Sequence, residues 1–442
     1  MSQLDIAKSA DVNAQVVNYS STVSTKAGNV PLNLKMELNY DNSLSNAPIA
    51  VVMHPYSGAT GHFNDYRAVA QDLRAKGFFT VMVAMRGREG SDGTRDSGGL
   101  EIYDIYDAVE YVKANYSGMV DENSVIIEGF SGGGGNVMSA ITKLPDYFKA
   151  AGAYFGMSDY GYDAQDGWYQ NGAGARTSQL NADIGNPNTG GAAVLDKYLA
   201  RNSAMASMNN PYTDIHLFVN GVGETICPPI NNYNYLNFAV ANQSFVGEFD
   251  NINLHIGVKN TYYDHNGNSI NDLGEEQWFP HMNPEDYDGM HEAGYNWYIK
   301  GVLDGTTLAP VLNNSDTLFV AGFVKTKKFE SWLGDGQNAA GELEYNLGID
   351  SYQFQLELMS SDLTKTGWVE VDLSEHLGEL WQFYRNGVLE DTFTANGKYR
   401  MNNFMDGQTL LLQAVPEPGL AAMAGVGAAL LAAGGRRRRR ES

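Results

Sequence analysis

A single cysteine, Cys227, stands in the 442 residues, which excludes an intrachain disulfide framework and leaves the redox compartment unread. Basic residues are scarce: 29 Lys and Arg face 52 Asp and Glu, and five of the arginines, Arg436 to Arg440, crowd the C-terminal end. The rest of the chain is therefore strongly acidic. Such a surface repels nucleic acid and anionic membrane and favours neutral or cationic substrates, or simply keeps a protein soluble in a salty medium. Also missing from Met1 to Val30 is a basic n-region followed by an apolar h-region. What is present is globular: 43% of residues are hydrophobic, and the length calls for two folded units plus tails.

From Gln15 to Gly305 short apolar runs alternate with helical patterns, the signature of a mostly parallel sheet covered on both faces. Gln15–Tyr19 and Leu32–Tyr40 read as antiparallel edge strands. Ile49–Met53, Phe79–Met85, Ser124–Glu128, Ala150–Phe155, Ile215–Asn220 and Ile252–Val258 complete eight. Helices are expected over His62–Lys76, Leu100–Asn115, from the residue after Ser131 to Thr142, and over Glu292–Val302. The Gly-, Asn- and aromatic-rich stretch 157–211, with Tyr160, Tyr162, Trp168 and Tyr169, interrupts the rhythm as a candidate lid within a catalytic unit spanning 1–305. Past Thr306 short alternating strands and an Asn386-Gly387 hairpin signal indicate a β-sandwich over 310–413, expected to serve binding or spacing.

The chemistry concentrates at Gly129-Phe130-Ser131-Gly132-Gly133, a G-x-S-x-G pattern between a buried strand and a helix. A serine on a strained strand-to-helix turn needs small neighbours, and the helix N-terminus behind it stabilises negative charge. Ser131 is the candidate nucleophile, and the Gly132 backbone N–H a candidate oxyanion donor. A second donor belongs after the third strand, where Tyr56 of His54-Pro55-Tyr56 fits through its backbone N–H, its hydroxyl, or both. Chain order in such sites is nucleophile, acid, base. Glu224 is the one carboxylate in the turn Asn220–Pro228, and His291, just before the last helix, is the expected base, ahead of His281; His255 alternates within a strand and His265 lies in a polar loop.

Pro145-Asp146-Tyr147-Phe148-Lys149-Ala150-Ala151 and Gly156-Met157-Ser158-Asp159-Tyr160 resemble the run downstream of the nucleophile in the prolyl oligopeptidase family. The turn 221–228 resembles that family's acid loop, and Arg86-Gly87 with Ser91-Asp92-Gly93 is similar to a loop shared with cocaine-esterase-like hydrolases. The resemblance covers about 47–303 and implies an α/β-hydrolase fold and a Ser-His-acid triad. Three departures accompany it: no β-propeller precedes the domain, His54-Pro55-Tyr56 replaces His-Gly-Gly-Pro, and the acid is glutamate. They favour carboxylic-ester hydrolysis over peptide hydrolysis; an inactive scaffold carrying a surface-binding sandwich is the non-enzymatic alternative.

Val415-Pro416-Glu417-Pro418, the apolar run Gly419–Gly435 and the terminal arginines resemble a PEP-CTERM sorting signal. As a helix the run reaches roughly 25 Å, barely a bilayer core. The resemblance implies export in a Gram-negative-type bacterium to the cell surface or medium, with inner-membrane and sorting-enzyme contact through 415–442; a permanent anchor is the alternative. Asp264, Asn266, Asn268, Ile270, Asp272 and Glu275 have the ligand spacing of an EF-hand-type loop, although Ser269 sits where that loop requires glycine. Structural calcium bracing the segment before His291 is thus an expectation. The chemistry itself requires no cofactor, and the expected partner is an ester-bearing small molecule or polymer.

Overall fold

A computed structural model describes residues 12–26, 31–56, 62–220, 224–241, 251–257 and 294–416. Its centre is an eight-stranded sheet formed by β1 (Val12–Ser20), β2 (Asn33–Asp41), β3 (Ala47–Met53), β4 (Phe79–Val83), β5 (Val120–Phe130), β6 (Ala150–Tyr154), β7 (Asp214–Asn220) and β8 (Ile252–Gly257), in the order β1-β2-β4-β3-β5-β6-β7-β8. β1 and β2 pair antiparallel, as do β2 and β4; every later pairing is parallel. Side chains of β3 alternate between two cores, Ile49, Val51 and Met53 facing one and Ala50 and Val52 the other, because a sheet covered on both faces buries both sets. The first core is covered by α2 (Glu101–Asn115), α3 (Gly132–Lys143) and α6 (Ile230–Ala241). The second is covered by α1 (His62–Ala75) and the chain around Tyr298.

Two details depart from the sequence expectation. Helix α6 was not anticipated: its sequence Ile-Asn-Asn-Tyr-Asn-Tyr-Leu-Asn-Phe-Ala-Val-Ala carries little amphipathic periodicity, and even Asn231 and Asn232 are buried. The last helix is described only from Gly294 and contains a π-helical turn, Tyr295–Ile299, before Lys300–Leu303. The segment between β6 and β7 is a packed layer of short helices, among them α4 (Thr177–Asp183) and α5 (Gly191–Leu199).

Ten strands follow, from β9 (Ser315–Ala321) to β18 (Thr409–Ala414). They form a four-stranded and a six-stranded antiparallel sheet around a core of Leu318, Phe354, Leu356, Trp381, Phe404 and their neighbours. Gly322, with φ +78°, separates β9 from β10 (Phe323–Lys325). Asn386 and Gly387 both have positive φ, as a two-residue hairpin turn between β15 (Leu380–Arg385) and β16 (Val388–Thr394) requires.

This sandwich is docked on the α/β unit through buried polar contacts. Glu330 accepts from Lys26 at 2.5 Å, Tyr103 Oη at 3.2 Å, Lys325 at 3.2 Å and Trp332 Nε1 at 2.5 Å. Burial pushes its carboxyl upward, but Lys325 and Lys26 outweigh that and hold it below the usual range. Asn209 pairs with both main-chain groups of Phe319, donating to its carbonyl at 2.9 Å and accepting from its N–H at 2.7 Å, which satisfies edge strand β9. Lys143, at the end of α3, donates to the carbonyls of Ala200 and Ala321 and lies 4.7 Å from the centre of the Phe323 ring.

Burial, with the nearby Arg201 charge, lowers the Lys143 ammonium from 10.5 to about 7 against the opposing pull of Asp96. Between those values the unfolded chain holds a proton that the folded chain has released, so this group makes stability rise with pH across that window and imposes its full burial penalty below it. Urea unfolding followed from pH 6 to 10 should therefore show the wild type gaining stability relative to Lys143→Met as pH increases. Parallel pH profiles would mean that Lys143 titrates alike in both states.

Candidate active site

β5 ends at Phe130 and α3 begins at Gly132, so Ser131 alone makes the turn, at φ +55° and ψ −118°. A side-chain-bearing residue in that region costs about 1–3 kcal/mol and persists only where its surroundings impose it. The imposing contacts are specific. The Ser131 N–H donates to the Tyr154 carbonyl at 2.8 Å, locking the turn to β6. A Cβ on Gly129 would come within 2.6 Å of the Gly133 main chain, and one on Gly133 would overlap the carbonyl oxygen of Met53. One on Gly132 would overlap the backbone nitrogen, Cα and Cβ of Tyr56. The glycines thus let β3, β5 and the start of α3 close on one another, which brings the Tyr56 backbone against the residue that follows the serine.

The Tyr56 hydroxyl goes elsewhere. It lies 2.9 Å from Ser97 Oγ, which donates to Asp183 Oδ2 at 2.7 Å. Burial raises the Tyr56 phenol above its ordinary range, with the Ser97 hydrogen bond opposing. Trp168 packs edge-on against the Tyr56 ring, centroids 5.1 Å apart, and donates Nε1–H to the Ile226 carbonyl at 2.6 Å.

Glu224 is buried, and its Oε1 accepts the N–H groups of Ile226 at 2.6 Å and Cys227 at 2.9 Å, folding the acid turn around its own carboxylate. That turn places Cys227 Sγ 3.8 Å from Ser131 Oγ. Burial, reinforced by Glu224, pushes the Cys227 thiol up to about 12, so it is a neutral neighbour of the serine. Ser131, Gly132, Tyr56 and the Glu224 turn are therefore brought together. His291, His281 and His265 lie outside the described residues, as does the calcium-type loop Asp264, Asn266, Asn268, Ile270, Asp272 and Glu275. Among the described residues no cluster of His, Cys, Asp and Glu could hold a metal ion. His255 is buried in the sheet, stacked 4.1 Å from Trp297 and 2.8 Å from His216 Nδ1 through its Nε2.

Sequence reasoning did not single out Cys227, Ser97 or Asp183 as site neighbours. Cys227 was visible as the cysteine of the acid turn; Ser97 and Asp183 carry no motif and become neighbours only through the fold. Arg86, part of the loop similar to that of cocaine-esterase-like hydrolases, makes a two-pronged buried pair with Asp104, Nε at 2.9 Å and a terminal nitrogen at 2.6 Å, and so braces the loop.

Residues 34–210 match the X-Pro dipeptidyl-peptidase (S15) family. No curated protein matches the chain. Solved structures with similarity include an acylaminoacyl peptidase of Pyrococcus horikoshii, 16% identical over 70% of this chain and 44% of that one, TM-score 0.44. A puromycin-hydrolyzing peptidase of Mycobacterium tuberculosis is 17% identical over 68% and 40%, TM-score 0.46. An esterase of Pyrococcus furiosus is 16% identical over 55% and 80%, TM-score 0.39. The chain thus spans less than half the length of the two peptidases.

Because Gly132 has no room for a Cβ, Gly132→Ala should displace the Tyr56 backbone and slow covalent labelling by a fluorophosphonate at least about a hundredfold, the scale of losing one oxyanion donor. Gly118→Ala, at a position with open space around it, is the control and should label like the wild type. Equal rates for both variants would mean that the Tyr56 backbone does not serve the reaction. Strand order, the strained serine at the end of β5 and the match over residues 34–210 agree: the chain is an α/β-hydrolase-fold protein similar to the S15 and prolyl oligopeptidase serine hydrolases.

Proposed function

We propose that the chain is a serine hydrolase that cleaves carboxylic esters through an acyl-enzyme on Ser131. The observation that carries this reading is the Ser131 backbone at φ +55° between strand and helix, a strain that a merely structural serine has no reason to bear. In the reaction Ser131 Oγ attacks the substrate carbonyl while His291 takes its proton. Glu224 orients and stabilises the imidazolium, and the backbone N–H groups of Gly132 and Tyr56 hold the developing oxyanion. The tetrahedral intermediate collapses as His291 returns the proton to the leaving alcohol, and water then repeats the sequence on the acyl-enzyme. Supporting an ester are the glutamate acid and the His54-Pro55-Tyr56 loop. A second reading, a peptidase of short peptides, is favoured by the family match over residues 34–210.

Export with removal of 415–442 and a structural calcium at Asp264–Glu275 belong to the same proposal. The apolar run and the calcium-type loop lie outside the described residues, among which no helix is long and apolar enough to cross a membrane.

Ser131→Ala should abolish fluorophosphonate labelling and all turnover while preserving the unfolding transition; persistent labelling would place the nucleophile elsewhere. A panel of chromogenic esters of increasing acyl length beside dipeptide anilides then separates the two readings, with higher kcat/KM on the esters expected. Glu224→Gln should lower kcat by several orders of magnitude at nearly constant KM, because the amide favours the wrong imidazole tautomer, an effect on the order of 10⁴ where asparagine replaces the aspartate of a Ser-His-Asp triad. Retention of more than about a tenth of wild-type kcat, a loss of at most about 1.4 kcal/mol, would assign the acid to another carboxylate.

A further inference from the structure

Tyr154 is the residue at which the nucleophile turn and the last helix meet. Its carbonyl accepts the Ser131 N–H at 2.8 Å, and its ring is stacked between those of Phe130 and Phe218, each 4.2 Å away centre to centre. The stack follows from the register, since Phe130, Tyr154 and Phe218 are direct partners on β5, β6 and β7. A ring wedged in this way has its hydroxyl held in one place. That hydroxyl lies 3.1 Å from Tyr298 Oη, which donates to Glu128 Oε2 at 2.9 Å. A phenol has one hydrogen, so Tyr298 accepts from Tyr154. All three side chains are fully buried. Burial, reinforced by Glu128, pushes both phenols well above their ordinary range, so each keeps its hydrogen.

Two glycines show how tightly the last helix is seated on these hydroxyls. A Cβ on Gly152, the register partner of Glu128, would overlap Tyr298 Oη. A Cβ on Gly294 would overlap Tyr154 Oη and come within 3.0 Å of the Tyr298 ring. Gly294 has φ −56° and ψ −41°, a helical conformation open to any residue, so this position uses the lack of a side chain and not backbone freedom. In the sequence Gly294 follows His291 by three residues. Tyr154 therefore grips Ser131 with its main chain and, through its hydroxyl, fixes how closely the chain just beyond His291 approaches β6. Glu128 lies on β5, the strand that delivers Ser131, so the linkage returns to the nucleophile.

We infer that Tyr154, Tyr298 and Glu128 are positioning residues: they set the distance between the Ser131 turn and the helix that follows His291, and with it the reach of the base to the nucleophile. The inference rests on the serine-hydrolase reading with His291 as base. It deepens that reading by giving three fully buried groups on the sheet a part in the reaction.

Tyr298→Phe and Glu128→Leu would each leave a buried partner stranded, so the test turns on Gly294 and Tyr154. Gly294→Ala should lower kcat for a chromogenic ester about thirty- to a hundredfold, the scale of misplacing a reacting group by about 1 Å, with KM within about twofold. Tyr154→Phe, which keeps the ring stack and strands no charge, should lower kcat about three- to tenfold. It also removes the atom that the new methyl group of Gly294→Ala meets. Combining the two should therefore regain at least about fivefold in kcat over Gly294→Ala alone, the non-additivity expected of groups in contact. All rates are read well below the unfolding transition, where a variant that is only less stable turns over like the wild type. Amide hydrogen exchange over residues 294–303 should accelerate in Gly294→Ala and slow again in the double variant.

Wild-type kcat in Tyr154→Phe would overturn the inference, also where Gly294→Ala yields no folded protein. So would a Gly294→Ala loss that persists undiminished in the double variant, or one confined to KM. A wild-type protein without labelling or turnover would instead defeat the serine-hydrolase reading, and exchange over residues 294–303 would still decide whether Tyr154 seats the last helix.

Discussion

The backbone of Ser131 is the constraint around which the α/β unit is arranged. A residue at φ +55° and ψ −118° cannot continue the strand that delivers it or join the helix that follows, so neighbouring chain must hold it. That support comes from the parallel neighbours of β5. β6 supplies the carbonyl that accepts the Ser131 N–H, and β3 supplies the main chain on which Gly133 packs. Three residues of glycine-only space, Gly129, Gly132 and Gly133, are the condition for that closeness. The same closeness carries the loop after β3 to Ser131. The strain at the serine and the approach of Tyr56 to Gly132 are therefore one structural event.

Around this point the fold uses buried charge in a consistent way. Arg86 with Asp104 and Arg88 with Glu101 are paired, side chains nearly inaccessible, and each pair joins the loop after β4 to α2. Buried pairs of this kind contribute little net stability against a well-packed apolar alternative, but breaking one strands a charge at considerable cost. Their effect is to fix position. Burial pushes Glu101 up, yet Arg88 and the Gly98 N–H outweigh it and hold the carboxyl at about 2, so the Glu101 carboxylate remains ionised over any ordinary pH. Arg201 extends the network outward, donating to the Asp96 carbonyl at 3.0 Å and to both the carbonyl and side chain of Gln337, at 2.9 and 3.0 Å. One guanidinium thereby ties the loop before α2, the segment after α5 and the sandwich.

What the sequence made legible follows from how local each signal is. The strand-to-helix serine turn was readable because glycine spacing, a buried apolar run and a helical pattern all fall within a few residues. The Asn386-Gly387 hairpin was readable for the same reason: both positions need positive φ, and the sequence supplies residues that tolerate it. Helix α6 was not, since it carries little amphipathic periodicity and its buried Asn232 finds its partner only in tertiary structure, donating to the Gly156 carbonyl at 3.1 Å. Contacts between Tyr56, Ser97 and Asp183 span well over a hundred positions with no pattern linking them. Likewise nothing in the spacing of Lys26, Tyr103, Lys325 and Trp332 announces that all four converge on Glu330.

The same contacts bear on whether the segment between β6 and β7 can move as a unit. A lid that swings needs few buried polar bonds to its surroundings, because each one must be broken and rehydrated on opening. The segment between β6 and β7 has many. Trp168 Nε1 bonds to the acid turn, and Gly172 packs so closely on that turn that a Cβ would overlap the Ile226 carbonyl. Asp183 takes the hydrogen of Ser97, and Asp196 accepts from Ser361 N–H and Oγ at 2.8 Å and from Lys365 at 3.0 Å across the junction with the sandwich. Opening such a segment as a unit would break polar bonds to the acid turn, the Ser97 turn and the sandwich at once. It follows that this segment is held as a fixed layer against the Glu224 turn, the Ser97 turn and the sandwich.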